Sequence, residues 1–107
     1  MSDFDSVVRR LVAVIESRRG GDPSVSWSAK LLANPSLAAK KMAEEAIEVA
    51  LAAVQNDRAG LVAESADLIY HWLALLAAAG VGLDEIAAAL ETREGRSGVA
   101  EKAARPA

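Results

Sequence analysis

Apolar residues along much of this chain recur at the spacing of an α-helix. In the first segment they fall three or four positions apart, on one helix face: Phe4, Val7, Val8, Leu11, Val12 and Ile15. Turn-forming residues then divide the chain into successive helical segments. The predicted helices cover about residues 4–19, 26–33, 35–55, 57–79 and 83–93. The pattern therefore predicts an all-α fold of four to five helices.

Capping residues stand at the ends of these segments. Four short polar side chains occupy predicted N-cap positions, where they can accept a hydrogen bond from the first helical turn: Asp3, Ser26, Asn34 and Asp57. Pro35 follows Asn34 at the first helical position, which proline favours. Gly80 is placed to end the fourth helix in the left-handed conformation.

The link between the third and fourth helices is only Asn56-Asp57. Links this short join antiparallel neighbours. We therefore predict a central antiparallel helix hairpin folded about position 56. Residues equally distant from that position then lie at the same height on the two helices.

The length and composition predict one domain with a helical core. The chain has 107 residues, 52% of them hydrophobic but only 4% aromatic. Alanine and leucine, strong helix formers, supply much of the apolar content. Alanine also lets helices approach closely or share a face between subunits. We expect an all-α domain over residues 1–94 and a mobile C-terminal tail over residues 95–107.

The charge and the absence of cysteine exclude several classes of protein. A net charge of −3 is unlike the basic patch of a nucleic-acid-binding protein. Without cysteine the chain forms no disulfide and has no thiolate chemistry. The strongly apolar stretch from Leu68 to Val81 is too short to span a membrane. We therefore expect a cytoplasmic protein with no nucleic-acid or membrane partner.

The candidate chemistry lies in two acidic pairs on the hairpin. Glu45 and Glu48 are three positions apart on the third helix, so they share a face. Glu64 and Asp67 have the same spacing on the fourth helix. The predicted hairpin places Glu48 level with Glu64. It places Glu45 level with Asp67, so four carboxylates meet at one site.

Four neighbouring carboxylates need compensation by protons or by a cation, since like charges raise one another's pKa. Oxygen ligands suit Mg²⁺, Mn²⁺ or Ca²⁺, and Mg²⁺ leaves coordination positions for water and substrate phosphates. The alternative is a solvated acidic surface in which Lys40 and Lys41 pair with the glutamates one turn away. Spacing alone leaves both interpretations open.

Three segments resemble a known family of enzymes: Ser26–Leu31, Lys41–Glu48 and Glu64–His71. The acidic residues are similar to the EExxE…ExxD signature of the MazG-like all-α nucleoside triphosphate pyrophosphohydrolases. With Tyr70-His71 and the Ser26 segment, the chain most resembles the phosphoribosyl-ATP pyrophosphatase family of histidine biosynthesis. Trp27 stands where that family usually has tyrosine, and Ser28 where it has threonine.

The resemblance implies an Mg²⁺-dependent hydrolase that converts phosphoribosyl-ATP to phosphoribosyl-AMP and pyrophosphate. It also implies a MazG-like helical bundle completed by homodimerisation. We expect four metal ligands: Glu45, Glu48, Glu64 and Asp67. We expect Glu44 and Glu48 to be catalytic, with Glu44 orienting or deprotonating the attacking water.

Five residues are expected to contact substrate or shape its pocket: Ser26, Trp27, Ser28, Lys41 and His71. Three of them have a structural interpretation as well, and for Trp27 it is a place in the hydrophobic core. Lys41 can contact a phosphate or form an ion pair with Glu44 or Glu45. His71 can serve the site or make a structural hydrogen bond. The tail residues Arg96, Lys102 and Arg105 either close over phosphates or belong to a mobile segment.

Two other functions are compatible with the same residues. One is a house-cleaning pyrophosphohydrolase acting on a free nucleoside triphosphate, which would use the same acids. The other is a non-catalytic helical dimer that serves as an interaction module. The second predicts no dependence on a divalent cation.

Overall fold

A computed structural model describes residues 2–95 and 98–105 of the chain. Within these ranges the chain forms helices and no strand, so the predicted all-α class is confirmed. The helices are α1 (Phe4–Ser17), α2 (Trp27–Ala33), α3 (Pro35–Val54), α4 (Arg58–Ala79), α5 (Leu83–Arg93) and α6 (Gly98–Ala104). The first five correspond to the predicted segments. The sixth lies in the tail, where no helix was predicted.

Each predicted capping residue stands at the end of a helix. The side chains of the N-caps accept hydrogen bonds from backbone N–H groups three positions later: Asp3 from Ser6, Ser26 from Ala29, Asn34 from Leu37 and Asp57 from Gly60. Gly80 ends α4 at φ 74°, in the left-handed region. These local hydrogen bonds explain why the helix boundaries follow from the sequence.

Gly60 makes the cap of α4 possible. A Cβ atom at this position would lie 2.2 Å from Oδ2 of Asp57. The missing side chain therefore leaves room for the capping carboxylate, which accepts the Gly60 N–H at 2.9 Å.

The hairpin of α3 and α4 is the centre of the fold. Asn56 turns the chain with φ 57°, a left-handed conformation that asparagine tolerates. α1 and α2 pack against α4, and α2 also contacts α3. One buried cluster joins Ile15, Leu32 and Leu73 from α1, α2 and α4. A second joins Leu31, Ala38 and Ala74 from α2, α3 and α4.

α4 is long and apolar enough to cross a membrane by length and composition. It has 22 residues, and 17% of its most apolar window is buried. The stretch Leu68–Val81, expected to be too short for a span, continues a helix that begins at Arg58 and reaches spanning length as a whole. Core helices pass the same test, and the contacts of α4 with α1, α2 and α3 are those of a core helix.

Candidate active site

Three of the four predicted metal ligands come together across the hairpin. Glu45 on α3 and Glu64 and Asp67 on α4 each offer a carboxylate oxygen, and these oxygens lie within 4.8 Å of one another. Glu45 and Glu64 are partly buried, whereas Asp67 is exposed. The antiparallel hairpin and the three-residue spacing on α4 together form this acidic cluster.

Within the acidic cluster, one carboxylate oxygen has no partner among the described residues, and the carboxylates face one another. Oε2 of Glu45 is buried and has no hydrogen-bond partner among the described residues. The pKa of Glu64 is raised, first because its protonated carboxyl can hydrogen-bond to Glu45, and then because of burial and the nearby charges of Glu45 and Asp67. When both glutamates are ionised, neither can donate that hydrogen bond. The pair therefore needs either a shared proton or a cation.

Glu44 lies in the opposite electrostatic environment. Nζ of Lys41 is 2.9 Å from Oε2 of Glu44, one turn away on α3. This hydrogen bond is the main cause that lowers the pKa of Glu44, and the charges of Lys41 and Lys40 add to it. The same contact raises the pKa of Lys41. Of the two alternatives for Lys41, the structure therefore contains the ion pair.

Glu48 is exposed and lies outside the group of oxygens within 4.8 Å. Its charge still acts on Lys41, whose pKa it helps to raise. Glu48 thus borders the acidic cluster from the next turn of α3, nearer the hairpin tip. The structure brings together three predicted ligands and leaves the fourth beside them.

His71 is buried and hydrogen-bonded through both ring nitrogens. Nε1–H of Trp27 donates to Nε2 of His71 at 3.1 Å. Nδ1 of His71 lies 2.8 Å from the backbone oxygen of Asp67. The ring is 8% exposed, so neither nitrogen is available to a substrate in this arrangement. Of the two alternatives for His71, the structure contains the hydrogen-bonded one.

The predicted serines also have partners within the fold. Ser26 caps α2 by accepting from the backbone of Ala29 at 3.1 Å. Oγ of Ser28 hydrogen-bonds to the hydroxyl of Tyr70 at 2.5 Å. Trp27 is 42% exposed, and Nζ of Lys30 lies 5.7 Å from the centre of its ring. Sequence reasoning missed both contacts between α2 and α4, because they join residues more than forty positions apart.

The acidic cluster fits a divalent cation. Mg²⁺ binds oxygen at about 2.0–2.1 Å, so oxygens on opposite sides of one ion are about 4 Å apart. The three carboxylate oxygens lie within 4.8 Å of one another, and Oε2 of Glu45 is a buried acceptor to which no described residue donates. The oxygen-only donor set matches the preference of Mg²⁺, Mn²⁺ and Ca²⁺.

The tail adds little to this site in the described residues. Lys102 and Arg105 are exposed. Arg96, the third predicted phosphate contact, lies outside the described residues.

Known proteins resemble the chain over nearly its whole length. The model of the phosphoribosyl-ATP pyrophosphohydrolase family matches residues 8–94. A phosphoribosyl-ATP pyrophosphatase of Caulobacter vibrioides (strain NA1000 / CB15N) is 64% identical over 92% of each chain. Proteins of the same name from Caulobacter sp. (strain K31) and Ruegeria pomeroyi are 58% and 55% identical, covering 99% and 94% of this chain and 99% and 97% of their own.

Proposed function

Because the chain belongs to the phosphoribosyl-ATP pyrophosphohydrolase family, we propose that its acidic cluster performs the family's reaction with a bound Mg²⁺ ion. The reaction joins phosphoribosyl-ATP with water and yields phosphoribosyl-AMP and pyrophosphate, a step in histidine biosynthesis. The matched region, residues 8–94, contains the whole acidic cluster.

The observation that carries the proposal is the acidic cluster with its unpartnered, buried carboxylate oxygen. Glu45, Glu64 and Asp67 offer three oxygens within 4.8 Å, and one buried oxygen of Glu45 has no partner among the described residues. These three side chains are the proposed ligands. A bound Mg²⁺ would polarise phosphoryl oxygens and lower the pKa of its water.

We assign Glu48 to the same site as the fourth ligand. It lies one helical turn from Glu45 on α3 and is exposed, so its side chain is free to rotate. The partly buried Glu45 already has a carboxylate oxygen near those of Glu64 and Asp67 on α4. Glu48 therefore completes the ligand set by rotating its exposed side chain toward the ion.

Glu44 orients the attacking water in this proposal. Lys41 lowers the pKa of Glu44, so the carboxylate stays ionised and accepts hydrogen bonds across the neutral pH range. A lower pKa also makes Glu44 a weaker base. Orientation of the water is thus the role that its environment supports best.

Substrate contacts fall to Lys41 and to the exposed face of Trp27. The Lys41 ammonium is a mobile point charge beside the acids, suited to a phosphate oxygen. Ser26, Ser28 and His71 act on the pocket indirectly in this proposal. Their hydrogen bonds hold α2, and with it Trp27, against α4.

We also propose a cytoplasmic homodimer. Four apolar side chains of the hairpin are at least half exposed: Ile47, Leu51, Val54 and Val62. The three on α3 share one face, which neighbours Glu44 and Glu48 around the helix. A second copy packed on this face would cover it and border the acidic cluster. Light scattering of the purified protein measures the assembly.

Pyrophosphate release tests the reaction. The purified protein is offered phosphoribosyl-ATP and a panel of nucleoside triphosphates, each with Mg²⁺ and with chelator. We expect release from phosphoribosyl-ATP that requires Mg²⁺. Release from the triphosphates alone would instead support a house-cleaning enzyme. Release from none of them would support an interaction module.

A further inference from the structure

Two adjacent polar contacts join α2 to α4, next to the turn of α4 that bears the acidic residues. Trp27 donates to Nε2 of His71 at 3.1 Å, and Ser28 is hydrogen-bonded to Tyr70 at 2.5 Å. Consecutive residues of one helix thus meet consecutive residues of the other. This arrangement fixes both the position and the rotation of α2 against α4.

The donors and acceptors determine which nitrogen of His71 carries a proton. The indole N–H of tryptophan is only a donor, so Nε2 of His71 must accept and carries no proton. Nδ1 faces the backbone oxygen of Asp67, which is only an acceptor, at 2.8 Å. Nδ1 is therefore the protonated nitrogen, and the ring is neutral.

The ring contacts leave His71 little freedom to turn. Tyr70 lies edge-on to His71 with centroids 4.9 Å apart, and Trp27 lies edge-on at 6.2 Å. A flip of the imidazole would place carbon atoms against Trp27 and Asp67 and lose both hydrogen bonds. His71 is consequently fixed in orientation as well as in tautomer.

We propose that His71 is a positioning residue for Asp67, held in its Nδ1–H tautomer by the indole of Trp27. The Nδ1–H group donates to the backbone carbonyl of Asp67 and so ties the residue bearing this carboxylate to α2. Trp27 thereby acts on the acidic cluster without contacting it. The inference rests on the proposed function in one respect, namely that Asp67 helps to bind a divalent cation.

His71 is the sole histidine of the chain, so its ring nitrogens can be observed without assignment ambiguity. Two-bond ¹H–¹⁵N correlation spectra of the full chain distinguish a protonated nitrogen from an unprotonated one. We expect a protonated Nδ1 and an unprotonated Nε2 at neutral pH. Trp27→Phe removes the donor while keeping an aromatic ring, and we expect the Nδ1–H preference to weaken.

Calorimetry without substrate measures the Mg²⁺ affinity of each variant, which reports how the substitution changes the acidic cluster. Loss of an outer partner of a ligand weakens metal binding by about 10- to 100-fold, and we expect the lower end of this range for Trp27→Phe. Trp72→Phe is the matched control, because Trp72 packs against the Ile15 cluster. It should change neither the tautomer nor the affinity.

Two substitutions at position 71 separate positioning from packing. The amide of His71→Asn can still donate to the Asp67 carbonyl, so Mg²⁺ affinity should stay within about 3-fold of wild type. His71→Leu cannot donate and should bind Mg²⁺ on the order of 10-fold more weakly. Circular dichroism checks that each variant keeps its helices. Equal affinity of the Asn and Leu variants would overturn the proposal.

The NMR spectra and the Mg²⁺ affinity test different parts of the inference, so each can contradict it separately. A wild-type protein that binds Mg²⁺ but carries the proton on Nε2 overturns this inference alone. So does a Trp27→Phe variant with a changed tautomer and unchanged Mg²⁺ affinity. A wild-type protein with protonated Nδ1 that binds no divalent cation overturns the proposed function, and with it the role of His71.

Discussion

Glu44 and Glu64 are two carboxyl groups of the proposed site, and their electrostatic environments are opposite. Lys41 lies 2.9 Å from Glu44 and is the main cause of its lowered pKa. Glu64 faces Glu45 and Asp67, and its pKa is raised, chiefly through the hydrogen bond with Glu45. Both start from the same ordinary value of 4.5. Their surroundings alone therefore divide the site into two halves.

The difference shows which carboxylate has a positively charged partner within the described part of the chain and which faces other carboxylates. The Glu44 half contains its own cation, one helical turn away. The Glu45–Glu64 half contains a buried oxygen without a partner among the described residues. A carboxylate that stays ionised suits the handling of water, whereas an unbalanced group suits a metal ion. The four predictions below test this division, beginning with the largest effect.

Glu64→Gln should cause the greatest loss of activity. The amide keeps the size of the side chain but removes a charged ligand from the acidic cluster. We expect a loss of about 1,000-fold in kcat/KM, which corresponds to the several kcal/mol of transition-state stabilisation that a metal ion supplies. Steady-state kinetics with saturating Mg²⁺ measure the effect. Glu91→Gln on α5, an exposed site far along the chain, is the control. Near-normal activity of Glu64→Gln would remove the acidic cluster from the reaction.

Glu48→Gln tests whether the exposed glutamate belongs with the cation-binding half. As the fourth ligand it should contribute about 100-fold to kcat/KM. This factor corresponds to nearly 3 kcal/mol of transition-state stabilisation. The fold should survive, because the side chain is exposed. Activity within a few fold of wild type would show that Glu45, Glu64 and Asp67 suffice.

Lys41→Met should remove the positive charge beside Glu44 and make its electrostatic environment more like that of Glu64. Without the ammonium, the pKa of Glu44 rises, so the acid limb of the pH–rate profile should move to higher pH. A loss on the order of 10-fold in kcat/KM should accompany the shift. Lys40→Met is the matched control, because Lys40 contributes less to the pKa of Glu44. Equal shifts in both variants would contradict the assignment of the ion pair.

The pH dependence of stability should have opposite signs for the two glutamates in metal-free protein. The raised pKa of Glu64 favours folding below about pH 4, and this contribution is lost as the pH rises through its folded-state pKa. The lowered pKa of Glu44 favours folding above its ordinary value and is lost in acid. At about pH 7, Glu64→Gln should therefore raise Tm and Glu44→Gln should lower it.

Thermal unfolding with chelator and with Mg²⁺ measures these two shifts. Mg²⁺ should raise Tm of the wild-type protein at neutral pH, because a ligand of the folded state stabilises it. The Glu64→Gln variant should respond less. A drop in Tm on Glu64→Gln without metal would mean that the Glu45–Glu64 pair is already balanced.

Interactions between residues close together in the sequence made much of the fold predictable. The N-caps Asp3, Ser26, Asn34 and Asp57 act on N–H groups three positions away, a distance that can be read from the sequence. The short link at Asn56 likewise determined the antiparallel hairpin. Each of these features depends on neighbours in the chain, so no tertiary information was needed.

The details of the site depend on contacts that the sequence does not encode locally. The bond between Trp27 and His71 joins residues 44 positions apart, and that between Ser28 and Tyr70 joins residues 42 apart. Helical spacing placed Glu45 and Glu48 on one face but did not reveal that Glu45 has a buried oxygen and Glu48 is exposed. Burial of this kind is decided by how closely the helices pack.

That packing gives the small residues Ala38 and Ala74 a further consequence. Both are fully buried in one cluster, on the two helices that hold the acids, at equal distances from the turn at Asn56. Methyl side chains at these positions let α3 and α4 pack closely at this level of the hairpin. Calcium needs oxygens at about 2.3–2.6 Å, against about 2.0–2.1 Å for magnesium. We therefore expect larger side chains at these two positions to widen the acidic cluster and to favour Ca²⁺ over Mg²⁺.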